Sequence, residues 1–469
     1  MSARRAGARD RRRRFGLLTV VLGAGVSFAA ACSDADEATL TMPLTPEAGA
    51  SVPDAASDAA SDASTDAPTD APTDARTDAP GDASASDAAD ASDGAPLVLP
   101  ADIYDPSFVP RFDLAFDAAA LAVLSSTAIA DQKKYVHGSF TYDGVTVADV
   151  GVRRKGSSTF RAYPKKMALK IKVDRYVPNQ RFRGLTDLTL NNMVSDPTSL
   201  AERLAYHVFR SAGLPAQKAN NAEVYINGAN FGVYMNLETP DADFLERVFP
   251  GTWKSLYESN YGSTWVPGIE DGFEEDVGDG TKADLALLFD AVKNAQPATL
   301  VADVTPWLAT TQWLKFSALE AITGHSDGYG FAYNGSHNYY LAGSTTGVFS
   351  LIPWSTDVCF TDNVTVVDAA QPRPADFAAG GDTLLVRCKA STTCWPDYTA
   401  QVSAMLTAYE GLDLAALALA WHTQINGLVV ATPPAKKEYS DAYYQNETTK
   451  LYSWIKARPA KIRTQLGLP

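Results

Sequence analysis

Cysteine is scarce in this chain: four among 469 residues, at positions 32, 359, 388 and 394. No two of them form a CxxC pair and no set of histidines lies near them, which argues against a structural zinc centre. Positive charge is also short, with 40 Lys and Arg against 55 Asp and Glu and a net charge of −15. Nucleic-acid binding wants a basic footprint, so that class is set aside. Beyond the first 31 residues, no later segment reads as long enough to span a bilayer. A GxSxG nucleophile elbow, a Walker phosphate loop and a GxGxxG turn are all missing. With them goes the sequence warrant for an esterase-type hydrolase, a P-loop NTPase or a dinucleotide-binding domain.

What is present is unevenly spread. Residues 1–32 carry seven Arg and one Asp, residues 33–96 carry fifteen acids and one Arg, and 97–469 is left at −7. Arg4, Arg5, Arg9 and Arg11 to Arg14 precede an apolar run from Phe15 to Ala31, the layout of a signal peptide. Its end, Ala29-Ala30-Ala31-Cys32, resembles a bacterial lipobox with Ala in place of the commoner Leu. The expectation is an exported lipoprotein of the outer membrane or cell surface, held to the membrane by a lipid on Cys32. Residues 33–96 repeat Asp, Ala, Ser, Thr and Pro with almost no large apolar side chains. Such a segment has no core to offset its chain entropy and reads as a disordered, extended linker. In an oxidising compartment Cys388 and Cys394 could close a small loop, leaving Cys359 as a buried thiol.

Globular composition begins at Leu97. The patterning predicts a strand over 112–116, a helix over 117–135, and a hairpin of 138–142 and 145–152 about Asp143-Gly144. That hairpin delivers Arg153-Arg154-Lys155-Gly156-Ser157-Ser158-Thr159, where three cations flank a Gly-Ser-Ser turn. These are the ingredients of a phosphate cradle, or of a basic surface turn. Residues 165–173 alternate Met167, Leu169, Ile171 and Val173 against Lys166, Lys170 and Lys172, giving a strand with a lysine face. After a strand over 188–192, Asp196-Pro197 reads as the N-cap and first residue of a helix ending at Gly213, with Leu200, Leu204 and Val208 as its stripe. Glu202 and Arg203 fall off that stripe, on an exposed face or turned into a cleft. A second hairpin, 222–226 and 231–237, turns at Asn227-Gly228 and ends at Glu238. Beyond 240, helices are expected over 241–249, 283–296, 311–323, 400–425 and 445–466, with 262–282 a loop. Strands first and helices after give an α+β fold of two lobes, 97–240 and 241–469.

One stretch concentrates the chemistry. Between His325 and Phe360 lie Asp327 next to Gly328, Asn338 beside His337, and Asp357 at the end of Trp354-Ser355-Thr356-Asp357. An acid, an amide and a second acid at a strand end supply a proton acceptor and hard oxygens suited to Mg²⁺. The same residue types also make the turns of a hairpin.

Taken in order, the motifs resemble a known family. They are Arg154-Lys155-Gly156-Ser157-Ser158, the lysine strand, the Asp196 helix with Leu204-Ala205-Tyr206, Val224-Tyr225-Ile226-Asn227-Gly228 with Gly232-Val233-Tyr234 and Glu238, His337-Asn338-Tyr339-Tyr340, and Ile352-Pro353-Trp354-x-x-Asp357. This series is similar to the CotH family of spore-coat-type atypical kinases. The resemblance implies an atypical protein-kinase-like fold, with a strand-rich N-lobe and a helix-rich C-lobe, that transfers the ATP γ-phosphate to Ser or Thr of secreted or surface proteins. It implies ATP and Mg²⁺ or Mn²⁺ as cofactors. Laid over this sequence, Arg154, Lys155, Ser157 and Ser158 would contact phosphates. Lys170, with Lys166 as its rival, would be the small-lobe lysine paired to Glu202, and Glu238 would mark the hinge and adenine site. Asp327 would be the catalytic base, and Asn338 and Asp357 would hold the metal. Many relatives carry Trp-Asp-x-Asp where this chain has Ser355. That departure keeps a second reading open, a catalytically inactive kinase-like surface adhesin or coat-assembly module.

Overall fold

The computed structural model describes residues 102–260, 265–331, 336–362, 364 and 384–468; the signal peptide, Cys32 and the linker lie outside the described residues. The first strands are β1 (Arg111–Ala115), β2 (Val136–Tyr142), β3 (Val145–Lys155), β4 (Ala168–Lys172), β5 (Asp187–Asn191), β6 (Ala219–Ile226) and β7 (Ala229–Leu237). They pair in the order β1-β2-β3-β4-β5-β7-β6 and close into a barrel through a parallel β1–β6 contact. Both predicted hairpins form. Asp143-Gly144 and Asn227-Gly228 all sit at positive φ, the geometry a tight two-residue turn between twisted strands demands. Alternation along β4 sends Leu169 and Ile171 into the barrel core with Phe112, Phe140, Val152 and Leu188, and leaves Lys170 and Lys172 on the outer face.

Between β5 and β6 runs α3 (Ala201–Ser211). It starts later than its sequence suggested. Ser199 takes a positive φ, so the chain turns once more before the helix begins. Asp196 still serves the helix start, because its carboxylate accepts from Thr198 N and, more distantly, from Glu202 N. Glu202 and Arg203 are both fully buried, which corrects the exposed-face alternative: α3 is covered on several sides. Arg203 lies over Trp421 and bonds Asn221 and the carbonyl of Pro106.

The second lobe contains a four-stranded sheet in the order β11-β10-β8-β9, with β8 (Trp253–Ser259), β9 (Phe273–Val277), β10 (Tyr339–Ser344) and β11 (Phe349–Pro353); the β10–β11 hairpin ahead of Asp357 fits the strand end read there, while β8 was not expected and β9 lies in the 262–282 stretch read as a loop. β8 escaped a pattern search because Ser255 and Ser259 occupy buried positions, held by Asp284 and by the carbonyl of Tyr339. The remaining helices are α1 (Ala118–Ser125), α2 (Ile129–Gln132), α4 (Ala242–Val248), α5 (Ala283–Asn294), α6 (Leu300–Val304), α7 (Thr310–Thr323), α8 (Leu384–Ala390), α9 (Cys394–Glu410), α10 (Leu414–Ala431) and α11 (Asp441–Leu466). The single helix expected over 400–425 is therefore two, broken at Gly411–Asp413. Asp413 sits at positive φ and caps α10 through Ala416 N. By length and composition α10 could cross a membrane, with a mean hydropathy of 1.4, which corrects the expectation that no later segment could. It nonetheless packs Trp421 and Ile425 into the second core, with Trp421 edge-on to His207 and under the Arg203 guanidinium of α3. Cys388 and Cys394 form a disulfide, and Cys359 is a buried thiol. The architecture is α+β, a strand barrel followed by a helix-rich lobe.

Candidate active site

The site grows from three strand or helix ends that meet. Lys155 is the last residue of β3, Asn191 the last of β5, and Glu202 lies in the first turn of α3. Lys155 Nζ donates to Asn191 Oδ1 at 2.8 Å, and Asn191 Nδ2 donates to Glu202 Oε1 at 2.8 Å. The amide thus stands between the ammonium and the carboxylate. Glu202 Oε2 is buried with no hydrogen-bond partner. Both ionisable groups are pushed toward their neutral forms. Burial holds Lys155 down to about 8, against the pull of Glu202 and Glu258. Burial also drives Glu202 well above the carboxylate range, and the charge of Asp357 adds to that. From below, the Trp354 ring faces Lys155 Nζ at 4.8 Å.

The second lobe supplies the acids. After α7 the chain makes the loop that carries Asp327, and the β10–β11 hairpin ends in a 3-10 turn, Thr356–Val358, that carries Asp357. Asp327 is gripped on both oxygens: His337 Nε2 lies 2.8 Å from Oδ1, and Asn338 Nδ2 donates to Oδ2 at 2.8 Å. Burial pushes its carboxyl up, but the His337 bond, the charges of His337 and His325 and the Asn338 bond outweigh that and hold it below the usual range. Burial raises Asp357, partly offset by a 3.1 Å bond from Ser355 Oγ. Asp357 and Asp196 also feel each other's charge, and burial lifts Asp196 to about 6. Lys155, Glu202, Asp327 and Asp357 therefore share one electrostatic neighbourhood, with Asn338 bonded to Asp327.

Other sequence candidates lie elsewhere. Arg154 does not face the phosphate cradle. Period-two alternation sends Arg153 and Lys155 to one side of β3 and Arg154 to the other. There it is 1% exposed, donates to the carbonyls of Ser126 and Asp131, and lies over Phe160. Lys170 is not the partner of Glu202. It sits 3.9 Å from Asp187, whose charge raises it against burial, while Asp187 itself is raised because its own burial outweighs Lys170. Its rival Lys166 is bonded to the carbonyl of Val233, over the Tyr234 ring. Ser157 and Ser158 are exposed on the turn after β3, next to Gly156 at φ +94, a conformation that suits glycine. Glu238 follows β7, but its carboxylate is taken by Arg247 at 2.6 Å and by Lys218 N at 2.8 Å. It lines a cavity of about 620 Å³ with Tyr104, Asp187, Thr239 and Asp241, on which Lys155, Glu202, Asp327 and Asp357 do not border.

Sequence reasoning missed Asn191, although an Asn-Asn pair at the end of a strand before a helix is a visible signal. It also missed Glu320, a carboxylate on the Trp313–Phe316 stripe of α7. Among the described residues no three carboxylates, imidazoles or thiols already converge on an ion-sized point. The donor set nonetheless fits a hard divalent cation. Asp357 and Asn338 are oxygen donors, and Glu202, whose Oε2 has no hydrogen-bond partner, is close enough to feel the charge of Asp357. Magnesium characteristically takes one or two carboxylates and completes its shell with substrate phosphates and water.

The sequence profile described as CotH kinase protein matches residues 152–462. Inner spore coat protein H of Bacillus subtilis (strain 168) is 24% identical over 337 residues, covering 68% of this chain and 88% of that protein. Invasin CotH2 of Rhizopus delemar is 26% identical over 161 residues, which is 30% of this chain and only 26% of the invasin. Among solved structures, the Helicobacter pylori proinflammatory kinase CtkA aligns over 61% of this chain and 91% of its own, at 12% identity and a TM-score of 0.27.

Proposed function

This chain belongs to the CotH kinase protein family, and on that footing we propose that it is an exported atypical kinase that phosphorylates Ser or Thr of secreted or surface proteins. The carrying observation is the Lys155–Asn191–Glu202 chain, whose Glu202 feels the charge of Asp357, which in turn feels that of Asp327. Phosphoryl transfer needs cationic charge on the phosphates, a lysine–glutamate unit that fixes the small lobe, and a carboxylate beside the acceptor hydroxyl. Lys155 takes the cationic role and the exposed Gly156-Ser157-Ser158 turn covers the phosphates. Asp327, oriented by His337 and Asn338, accepts the hydroxyl proton as the acceptor oxygen bonds the γ-phosphorus and the bond to the ADP oxygen breaks. Asp357 and Asn338 would hold Mg²⁺ or Mn²⁺, which when bound neutralises charge on the phosphates. The lipid at Cys32 and the 33–96 linker would hold this domain off a membrane surface.

The test is incubation of the purified chain with labelled ATP and Mn²⁺ or Mg²⁺, beside the Asp327→Ala and Asp357→Ala variants. Phosphate transfer lost in both variants supports the reading. Absence of both transfer and any nucleotide-induced thermal shift in the parent protein refutes it. Ser355 favours one other reading, a binding module without catalysis. That reading requires partner binding to survive both substitutions, and parent-level phosphate transfer would eliminate it.

A further inference from the structure

We propose that Glu320 is a positioning residue. It clamps the 325–330 loop so that the Asp327 carboxylate stands in register with the turn bearing Asp357. The proposal rests on the kinase reading for what Asp327 does, while the clamp itself rests on geometry.

Glu320 lies in the last turn of α7 and is completely buried. A carboxylate is kept in such a position only when its oxygens are satisfied. The chain leaves α7 through Gly324 at positive φ, and His325 N returns to the Glu320 carbonyl at 2.9 Å. The loop therefore folds back over the Glu320 side chain. Oε1 accepts from Tyr329 N at 2.8 Å and Oε2 accepts from Gly330 N at 2.9 Å. His325 Nδ1 lies 3.3 Å from Oε1. Glu320 thus holds the loop at its beginning through its carbonyl and at its end through its carboxylate, with Asp327 between.

The clamp reaches further through His325, which is itself fully buried. Its other ring nitrogen, Nε2, stands 3.3 Å from the carbonyl of Ser355. Burial alone would lower this imidazole, but the adjoining Glu320 carboxylate more than reverses that. Glu320 and His325 together tie the Asp327 loop to the Ser355–Asp357 segment. Gly328 shows how tightly the loop lies on the carboxylate. A β-carbon at that position would overlap Glu320 Oε1 and His325 Nδ1. Nothing in Glu320 touches the Asp327 side chain, which is held by His337 and Asn338, so it acts through the backbone.

The experiment uses the full chain and two variants, Glu320→Gln and Gly328→Ala; the second leaves Glu320 in place and lifts the loop from it. Amide hydrogen exchange at Tyr329 and Gly330 reads the clamp. Labelled-ATP kinetics read its consequence. In both variants the two amides should lose protection while thermal unfolding stays cooperative. The turnover number should fall roughly a hundredfold, the cost of a displacement of about 1 Å, with KM for ATP within about twofold. A generally damaged fold would instead move KM and turnover together. Unchanged protection and turnover in both variants overturns the proposal, and so does freed amides with parent-level turnover. Should Glu320→Gln fail to fold, Gly328→Ala decides alone. If the parent protein transfers no phosphate, the kinase reading falls, and the exchange data still decide whether Glu320 holds the loop.

Discussion

Replacing Lys155 with methionine should make the ligand-free protein more stable and, in the same step, unable to hold nucleotide. The ammonium is held down to about 8 from an ordinary 10.5 because burial outweighs Glu202 and Glu258. At 1.36 kcal/mol per pH unit that is a cost of about 3 kcal/mol to keep the side chain charged in the folded state. The attraction of Glu202 is already inside that balance. Without Lys155, Glu202 takes up a proton rather than remaining an unpaired buried anion, since its carboxyl is already far above its usual range. Methionine keeps the apolar stem against Trp354 and removes the charge. The pH dependence gives the sharper test. The folded value lies below the unfolded one, so the penalty is fully present below about pH 8. It shrinks as pH climbs from 8 toward 10.5, where the folded parent has already released the proton that the unfolded chain still binds. Differential scanning fluorimetry from pH 6 to 10 should show the variant several degrees more stable at pH 6–7, with the gap closing above pH 8. ATP with Mn²⁺ should raise the melting temperature of the parent only. A gap that ignores pH, or a variant less stable than the parent at pH 7, refutes the reasoning.

Arg154→Ala should cost about 2–4 kcal/mol, because it strands the carbonyls of Ser126 and Asp131 and opens a void beside Phe160; urea melts measure this, and nucleotide affinity of the folded fraction should be unchanged. Lys170→Ala should leave nucleotide affinity closer to the parent value than Lys155→Met does, since Lys170 stands against Asp187 rather than in the Glu202 chain; calorimetric titration with an ATP analogue compares the two. Ser355→Asp places a second carboxylate beside Asp357, where Ser355 Oγ now donates. It should destabilise the metal-free protein by about 1 kcal/mol through like-charge crowding and enlarge the Mn²⁺-induced thermal shift.

The strand barrel was legible because its signals are local. Asp143-Gly144 and Asn227-Gly228 can hardly be anything but hairpin turns, and the Leu169–Ile171 alternation marks a half-buried strand. Half of the second sheet, β8 and β9, was not legible. Ser255 and Ser259 make β8 read as polar although their hydroxyls are spent on Asp284 and Tyr339. β9 is hidden by the run Glu274-Glu275-Asp276, which no propensity scale would place in a strand. The parallel closure of β1 on β6 joins residues more than a hundred positions apart and leaves no mark in either segment.

The partner of Glu202 illustrates what a linear pattern can and cannot carry. The lysine-rich strand points to Lys170, which does lie on the outer face of β4. What decides the pairing is register. β3 and β4 pair Lys155 with Ala168 and Arg153 with Lys170, so Lys155 stands at the end of the sheet where β5 delivers Asn191 and α3 delivers Glu202. Lys170 is two residues further along β4, opposite Thr189 and beside Asp187. Two residues of strand are about 6–7 Å, more than a lysine can recover without leaving its partner. The same register argument extends to Asn191. It follows that Asn191→Ala should do what neither end of the chain does alone: leave both ionisable groups in place, remove the amide between them, and force Lys155 and Glu202 either into direct contact or apart. Direct contact would raise the Lys155 value above about 8 and steady the fold at neutral pH. Separation would lower it further and weaken nucleotide binding at pH 7. A pH series of nucleotide titrations on this variant distinguishes the two. A profile identical to the parent protein's would mean that the amide carries no part of the coupling.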